Sequence, residues 1–449
     1  MSVSKDDKSG EDENQDVGIL KMQASMIKQW ETLAYSKLEL ERGSEAANTI
    51  KYLLETYFRW QNASNCVVYR PVFIRDLALG EQFFNEFLLQ VICAVAIRCS
   101  TDYNVSSGGE STSMSSTEAE YLARAKALLS TEMDKPSSIP TIQGLLLLGQ
   151  RECAHGNLSQ GWMYTGMAFR AMRDMGIHLD CSRLPIFGFG TLTVEDREIR
   201  RRLFWAAFTW DKIISLALGR TPTFNAHQTI SPGPLLDDTE DFQLWQPEPH
   251  LFPQYQPRKS YATANFESFV KLCEIIQAVI MQLYVGRPRL VGIGKFIQAM
   301  RTRLNRWFDC LPAEIKIDTA NLPEQCPPPH IFATNALYRA SWILLYRIFI
   351  PNILPAPSGA PGDLMREAST TCTARADEIY HLSKLYAKSF GLRNMTYVMT
   401  WSIYSAATIN AIDFRSDNLE IAASAGPRLS MSMRSVDGIQ ARLTSDCAF

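Results

Sequence analysis

The chain has 449 residues, of which 46% are hydrophobic and 20% charged, and its formal net charge is −2. That is the make-up of a globular protein with a sizeable core, long enough for two or three domains or one large helical one. Domains that hold nucleic acid by its phosphates usually carry a basic surplus, so the near-neutral balance argues against direct DNA binding.

Ten cysteines are scattered through the sequence, and no pair has zinc-knuckle spacing. The closest, Cys93 and Cys99, lie in an apolar helical run. They read as small core hydrophobes of a reduced, intracellular chain, and no metal or cofactor is expected. The opening "MSVSKDDKSGEDENQD" is polar and acidic where a signal peptide would need an apolar run. The longest apolar stretch, "FLLQVICAVAI" at 87–97, is too short to cross a bilayer. Neither a membrane nor a secreted protein is expected.

Residues 1–16 hold almost nothing to bury and are predicted to be disordered. Helical periodicity then dominates, first as an amphipathic helix over 44–60 and a largely buried one over 80–99. A Ser/Gly/Thr-rich loop spans 100–117. Three helices follow within 117–176, broken at Pro136 to Pro140 and at Gly156-Asn157. Gly161, Gly166 and Ala168 are small residues of the kind that let helices approach closely. The hairpin has no second copy at the repeat spacing of a helical solenoid. Residues 225–265, rich in Pro, Asp and Gln, read as a long irregular connection. Further helices are predicted over 266–286, 294–311, 330–351, 366–391 and 394–414, and the tail from 416 to 449 is weakly patterned. Strand alternation is scarcely present. The fold class is all-α: one large helical domain over 17–415 with long irregular loops.

The segment "TVEDREIRRRLFWAAFTWDKIISLALGRTP", 193–222, carries the sharpest pattern. Thr193 can cap a helix whose first turns hold Glu195, Asp196 and Glu198. Arg200, Arg201 and Arg202 follow, with Glu198 in reach of Arg201 and Arg202 at three and four residues. Ile199, Leu203, Ala206, Trp210, Ile213, Ile214 and Ala217 form one apolar stripe, and Phe204, Trp205, Phe208 and Leu216 occupy much of the other side. A helix apolar all round is buried on both faces. Gly219 should end it as a left-handed cap, with Pro222 preventing continuation. The arginine triplet then reads as the solvated, acid-paired end of a helix that enters the core. Asp211 lies midway along the buried length and requires a cation. Arg170, ahead of Arg173, is the expected partner.

These residues also carry a resemblance. "GWMYTGMAFRAMRDMGIHLD" (161–180) followed by "EIRRRLFWAAFTWDKIISLALGRTP" (198–222) resembles the fungal-specific transcription factor domain, the helical middle homology or regulatory region of fungal zinc-cluster regulators. The matching positions are Gly166, Ala168, Arg170, Gly176, His178, Glu198, Arg200, Arg201, Phe204, Trp205, Asp211, Lys212, Gly219, Arg220 and Pro222. Arg202, beside them in the triplet, is counted with the same structural motif. "ALYRASWILLYRIFIPN" (336–352) is similar to a later helix of that family, except that Ile348 and Phe349 follow Arg347 where a proline belongs. A second departure is the six-cysteine zinc cluster, of which residues 1–65 hold no cysteine.

The resemblance implies a nuclear, or nuclear and cytoplasmic, regulator of transcription that controls a metabolic pathway, such as a secondary-metabolite gene cluster, and has no enzymatic activity. Its implied partners are other transcription factors or co-regulators, a DNA-binding subunit, and a small-molecule effector. No specific DNA binding by the chain itself is expected, and no membrane. Two rival readings stand beside it. "DDTED" (237–241) satisfies Asp-Asp-x-x-Asp, the magnesium–diphosphate motif of all-α terpene synthases, through Asp237, Asp238 and Asp241. Its surroundings have loop composition and no second metal motif is found, so a solvated acidic loop is the expectation. The other rival is a truncated, inactive regulator. His178, just after a helix end, reads as a capping or core histidine.

Overall fold

In the computed structural model the described residues are 6–100, 114–180, 192–224, 232–285, 292–350, 362–392 and 394–444. They form helices almost throughout. Among them the regular β-structure is limited to two two-residue strands, β1 (Leu244–Trp245) and β2 (Arg258–Lys259). The helices, in chain order, are α1 (Asp6–Ser25), α2 (Ile27–Arg42), α3 (Ser44–Tyr57), α4 (Ala63–Asn65), α5 (Arg70–Leu79), α6 (Glu86–Ile97), α7 (Met114–Met133), α8 (Ile139–Ala154) and α9 (Leu158–Asp174). They continue with α10 (Val194–Leu218), α11 (Thr239–Phe242), α12 (Ala262–Val279), α13 (Ile293–Asp309), α14 (Pro329–Tyr346), α15 (Gly362–Phe390), α16 (Tyr397–Asp413) and α17 (Leu419–Thr444).

The chain divides into two compact units. Unit 1 comprises 1–208, 224–244 and 259–267, and unit 2 comprises 209–223, 245–258 and 268–449. The division falls inside α10 and inside α12.

In unit 1, α2 packs on α3 and α5, α6 on α3, α7 and α8, and α8 on α9. The caps explain where several of these helices start. The Asn85 side chain accepts from the Leu88 N–H at 2.8 Å ahead of α6, and Ser138 accepts from the Thr141 N–H at 3.4 Å ahead of α8, whose second residue is Pro140. The breaks at Pro136–Pro140 and Gly156-Asn157 are found as expected, so 117–176 holds three helices. α8 and α9 make the closest crossing. A methyl group placed on Gly161 would lie 2.4 Å from the Cys153 Sγ and 2.9 Å from the Gly149 carbonyl oxygen. One placed on Gly149 would lie 2.4 Å from the Thr165 Oγ1. Gly161 and the fully buried Ala168 behave as expected, whereas a methyl on Gly166 would meet only the Arg170 guanidinium, at 3.2 Å.

In unit 2, α14 is buried along its whole length and packs on α13, α15 and α16. An aromatic stack ties α13 to it: Phe308 lies over Tyr338 with ring centroids 4.7 Å apart and planes 8° from parallel. α17 packs on α15 and α16.

Of the stretch expected to be disordered, residues 1–5 lie outside the described residues and 6–16 belong to α1. The expected loops at 100–117 and 225–265 lie partly outside them, at 101–113 and 225–231; the described remainder of the second contains α11, β1 and β2. Residues 419–444 fall where a weakly structured tail was expected, and there the structure corrects the reading: they form α17. Its inward stripe is Ala425, Arg428, Ser432 and Ser435, all buried. Arg428 lies 3.6 Å from Asp377 and 3.6 Å from Asp413. A stripe built of small and charged residues gives no apolar periodicity, which is why the sequence does not announce this helix.

Candidate functional site

α10 starts as its sequence dictates. The Thr193 hydroxyl accepts from the Asp196 N–H at 3.1 Å, and the Asp196 carboxylate accepts from the Thr193 N–H at 3.2 Å. One turn further, the helix enters the core of unit 1 with charges aboard. The expectation of a solvated arginine triplet fails there. Arg202 is 1% exposed and Arg200 7%, and only Arg201 keeps partial contact with solvent.

Arg202 sits at the centre of a buried polar network. Its Nε donates to Glu198 Oε1 at 2.7 Å, its Nη2 to the Asp237 carbonyl at 2.7 Å, and its Nη1 lies 3.7 Å from Glu240. The guanidinium stands 4.7 Å from the centroid of the Tyr69 ring. Tyr69 Oη in turn donates to Asp237 Oδ2 at 2.7 Å. The second oxygen of Glu198 accepts from the Leu236 N–H at 2.8 Å. Burial raises the Tyr69 phenol, and the Asp237 charge adds to the effect. Burial also raises Glu240, against the pull of Arg202. For Arg202 the burial penalty is overcome by Glu198 and Glu240, which hold the guanidinium well above its ordinary value. Cys66 borders the same network, and burial raises its thiol out of the reactive range.

The acidic motif at 237–241 belongs to this network, which corrects the expectation of a solvated loop. Asp237 is fully buried and also accepts from the Thr239 N–H and hydroxyl, both at 3.0 Å. Asp241, 8% exposed, accepts from the Thr263 N–H at 2.6 Å and the Ala264 N–H at 3.2 Å, capping the start of α12. Burial pushes its carboxyl up to about 6, against the backbone donors. Asp238 is half exposed and pairs with Lys21 at 3.1 Å. The three carboxylates are thus spent on different protein donors and share no open metal-binding face. Among the described residues no group of three or more His, Cys, Asp or Glu is placed to hold a metal ion.

The second cluster lies in unit 2, at the far end of α10. Asp211 is fully buried, as its sequence position predicts. A cation comes from the next residue: Lys212 Nζ lies 2.7 Å from Asp211 Oδ2, and Lys212 is fully buried too. The other carboxylate oxygen accepts from the Thr223 N–H at 2.9 Å. Burial lowers Lys212, against the opposing charge of Asp211. Gly219 adopts the expected left-handed conformation at φ +64°, which turns the chain back toward that bond, and the Arg220 N–H closes the helix on the Ser215 carbonyl at 2.9 Å. Arg170, the expected partner of Asp211, instead lies on the exposed face of α9 and donates to the Gly166 carbonyl at 3.2 Å. It is corrected on geometry.

The remaining motif residues are structural in placement. Gly176 follows α9 with φ +64°, and the Ile177 N–H returns to the Met172 carbonyl at 2.9 Å. His178 is half-buried just beyond, and burial together with the Arg173 charge lowers its imidazole. Arg200 donates to the Met175 carbonyl at 3.0 Å, tying α10 to the end of α9. Arg201 donates to the Pro234 carbonyl at 3.0 Å and Trp205 Nε1 to the Gly233 carbonyl at 3.1 Å, which binds the connecting segment down on α10. Arg220 is exposed. Tyr69 and Glu240 were not singled out from sequence. The one signal that pointed near them was the excess of acids at 237–241.

A sequence profile described as "Fungal specific transcription factor domain" matches residues 54–309, which includes both clusters on α10. The chain is 29% identical over 76% of its length to an uncharacterised transcriptional regulatory protein of Schizosaccharomyces pombe. It is 27% identical over 81% of its length to the nitrogen assimilation transcription factor nit-4 of Neurospora crassa. It is also 27% identical over 83% of its length to the nitrogen assimilation transcription factor nirA of Emericella nidulans. The matched part spans 54%, 33% and 41% of those relatives' own lengths. No solved structure matches.

Proposed function

The chain belongs to the fungal-specific transcription factor domain family, and we propose that it is a regulator of transcription acting on the genes of a metabolic pathway. The observation that carries this reading is the family match, which takes in both charged clusters of α10. The relatives' names support it, two of them being transcription factors of nitrogen assimilation. Secondary metabolism is the other class of target genes that fits the family. The polar groups of the motif pair serve the interior of the helical scaffold, an arrangement that suits a regulatory domain better than a catalytic one. No enzymatic step enters the proposal.

In this reading the domain works in the nucleus, against other transcription factors, co-regulators or a DNA-binding subunit, and it answers to a small-molecule effector. The 449 residues do not themselves read a DNA sequence. No helix among the described residues is long and apolar enough to cross a membrane. The test is a fusion of residues 1–449 to a foreign DNA-binding domain, scored on a reporter carrying that domain's site. The fusion should raise or lower reporter transcription relative to the DNA-binding domain alone. A stably expressed, nuclear fusion that leaves the reporter unchanged in both directions would overturn the proposal.

A further inference from the structure

The near-neutral total charge conceals an asymmetry between the units. Counted along the sequence, unit 2 carries 22 Lys and Arg against 16 Asp and Glu, a net +6, while unit 1 carries 23 against 31, a net −8. In unit 2 this surplus meets an amphipathic helix. α13 buries Ile293, Ile297, Met300, Leu304 and Trp307, and Trp307 Nε1 anchors it by donating to the Ser268 carbonyl at 2.9 Å. Its other side is solvated and carries Lys295, Arg303 and Arg306, all exposed.

At 3.6 residues per turn these three cations and Thr302 fall in one arc of about 100°, and at 1.5 Å per residue they span about 16 Å of helix. No described acidic side chain pairs with any of the three, whereas the half-exposed Arg301 on the flank is neutralised by Glu367. The stripe is therefore a cationic ridge of net positive charge, bordered at its C-terminal end by the exposed Asp309, on a well-anchored element.

We propose that this face of α13 holds the phosphate backbone of duplex DNA without reading its sequence. The neighbouring exposed residues decide the class of partner. They are Gln298, Ala299, Thr302, Asn305 and, at the C-terminal end of the helix, the acid Asp309. None is aromatic or large and aliphatic, so the face lacks the apolar anchor that dominates protein–protein interfaces. Amide, hydroxyl, lysine and arginine groups are the donors that contact phosphate oxygens. With a charge every 3.4 Å along one strand, a ridge of about 16 Å faces about five phosphates. The net positive charge of unit 2 supplies a favourable field for a polyanion, which the whole-chain balance masks. A DNA-bound regulator would gain from such a contact by being held along the duplex while sequence is read elsewhere.

The test uses the purified full chain and labelled 20-base-pair duplexes of two unrelated sequences, followed by fluorescence anisotropy from low to moderate salt. Both duplexes should bind equally well, with log K falling against log salt at a slope of about −2.7, for three phosphate contacts at −0.9 each. The R303A/R306A double variant should weaken binding and reduce the magnitude of the slope by about two. Both arginines are exposed, so its thermal melt should match the unaltered protein, and Lys28→Ala, an exposed change in unit 1, should leave binding as it was. The proposal is overturned by any of four results. These are no duplex binding at low salt, binding unaffected by R303A/R306A, and a tenfold or greater preference for one sequence. The fourth is capture of a polyglutamate peptide or of phosphatidylserine vesicles in place of the duplex. The assay needs no reporter and so separates this proposal from the regulatory one.

Discussion

Lys212 Nζ lies 2.7 Å from Asp211 Oδ2, and both side chains are fully buried. Consecutive residues on a helix point about 100° apart, so such a pair does not normally face itself. Here the lysine stem bends back along its own helix to reach the neighbouring carboxylate. The Thr223 N–H fixes the remaining carboxylate oxygen.

Breaking this pair should be costly. Asp211→Ala and Lys212→Ala should each destabilise by about 3–5 kcal/mol, since each strands one buried charge. The joint replacement Asp211→Leu with Lys212→Met should cost far less than the sum of the singles, because it removes both members of the pair together. Arg170→Ala, on the exposed face of α9, should stay within about 0.5 kcal/mol. Urea titrations of the four variants check the pattern. Equal losses for Arg170→Ala and Asp211→Ala would restore the expected but unobserved pairing.

The arginine triplet should separate sharply by position. Arg202→Ala takes the cation away from the buried Glu198 and a donor from the Asp237 carbonyl, and should destabilise by about 3–5 kcal/mol. Arg201→Ala removes one partly exposed hydrogen bond to the Pro234 carbonyl and should cost under about 1 kcal/mol. Thermal melts of the two variants, side by side, decide whether the network is as tight as its distances indicate.

The α8–α9 crossing gives a test of sign. Gly161→Ala adds a methyl 2.9 Å from the Gly149 carbonyl oxygen, which belongs to a backbone that cannot step aside. It should destabilise the protein despite a helix-propensity gain of about 1 kcal/mol. Gly166→Ala meets only the mobile end of Arg170 and should stabilise by up to about 1 kcal/mol. Two melting temperatures moving in opposite directions would confirm the close approach.

Glu118 on α7 should control part of the acid stability of unit 1. Its Oε1 accepts from Arg151 Nη2 at 2.6 Å and lies 3.3 Å from His155 Nε2. Burial favours the protonated acid, but the His155 hydrogen bond and the Arg151 charge outweigh it and hold the carboxyl at about 2. A depressed folded-state value means that this stability is present above about pH 4.5 and is lost as pH falls toward about 2. The full loss is about 3 kcal/mol at 1.36 kcal/mol per unit. Glu118→Gln should flatten the curve of unfolding free energy against pH in that window. An unchanged curve would show that the ion pair contributes nothing.

The sequence by itself determined where most of the long helices lie. A 3.6-residue apolar period, punctuated by proline pairs, Gly-Asn and polar caps, places α3, α6 to α10 and α12 to α16, because local sterics and backbone hydrogen bonding act within a few residues of the chain. The family motifs were legible for the same reason: they are continuous stretches. Tertiary structure decided which charges meet. Arg202 is held by Glu198 from its own helix, but also by Tyr69 and Asp237 from distant segments, and periodicity can name a buried face without naming what packs against it. The burial of Arg200 and Arg202, the recruitment of Asp237 and Asp241 as internal acceptors, and the formation of α17 around Arg428 all depend on such arrivals. A buried charge is affordable only where specific partners come to it, and those partners are set by the packing of the whole chain.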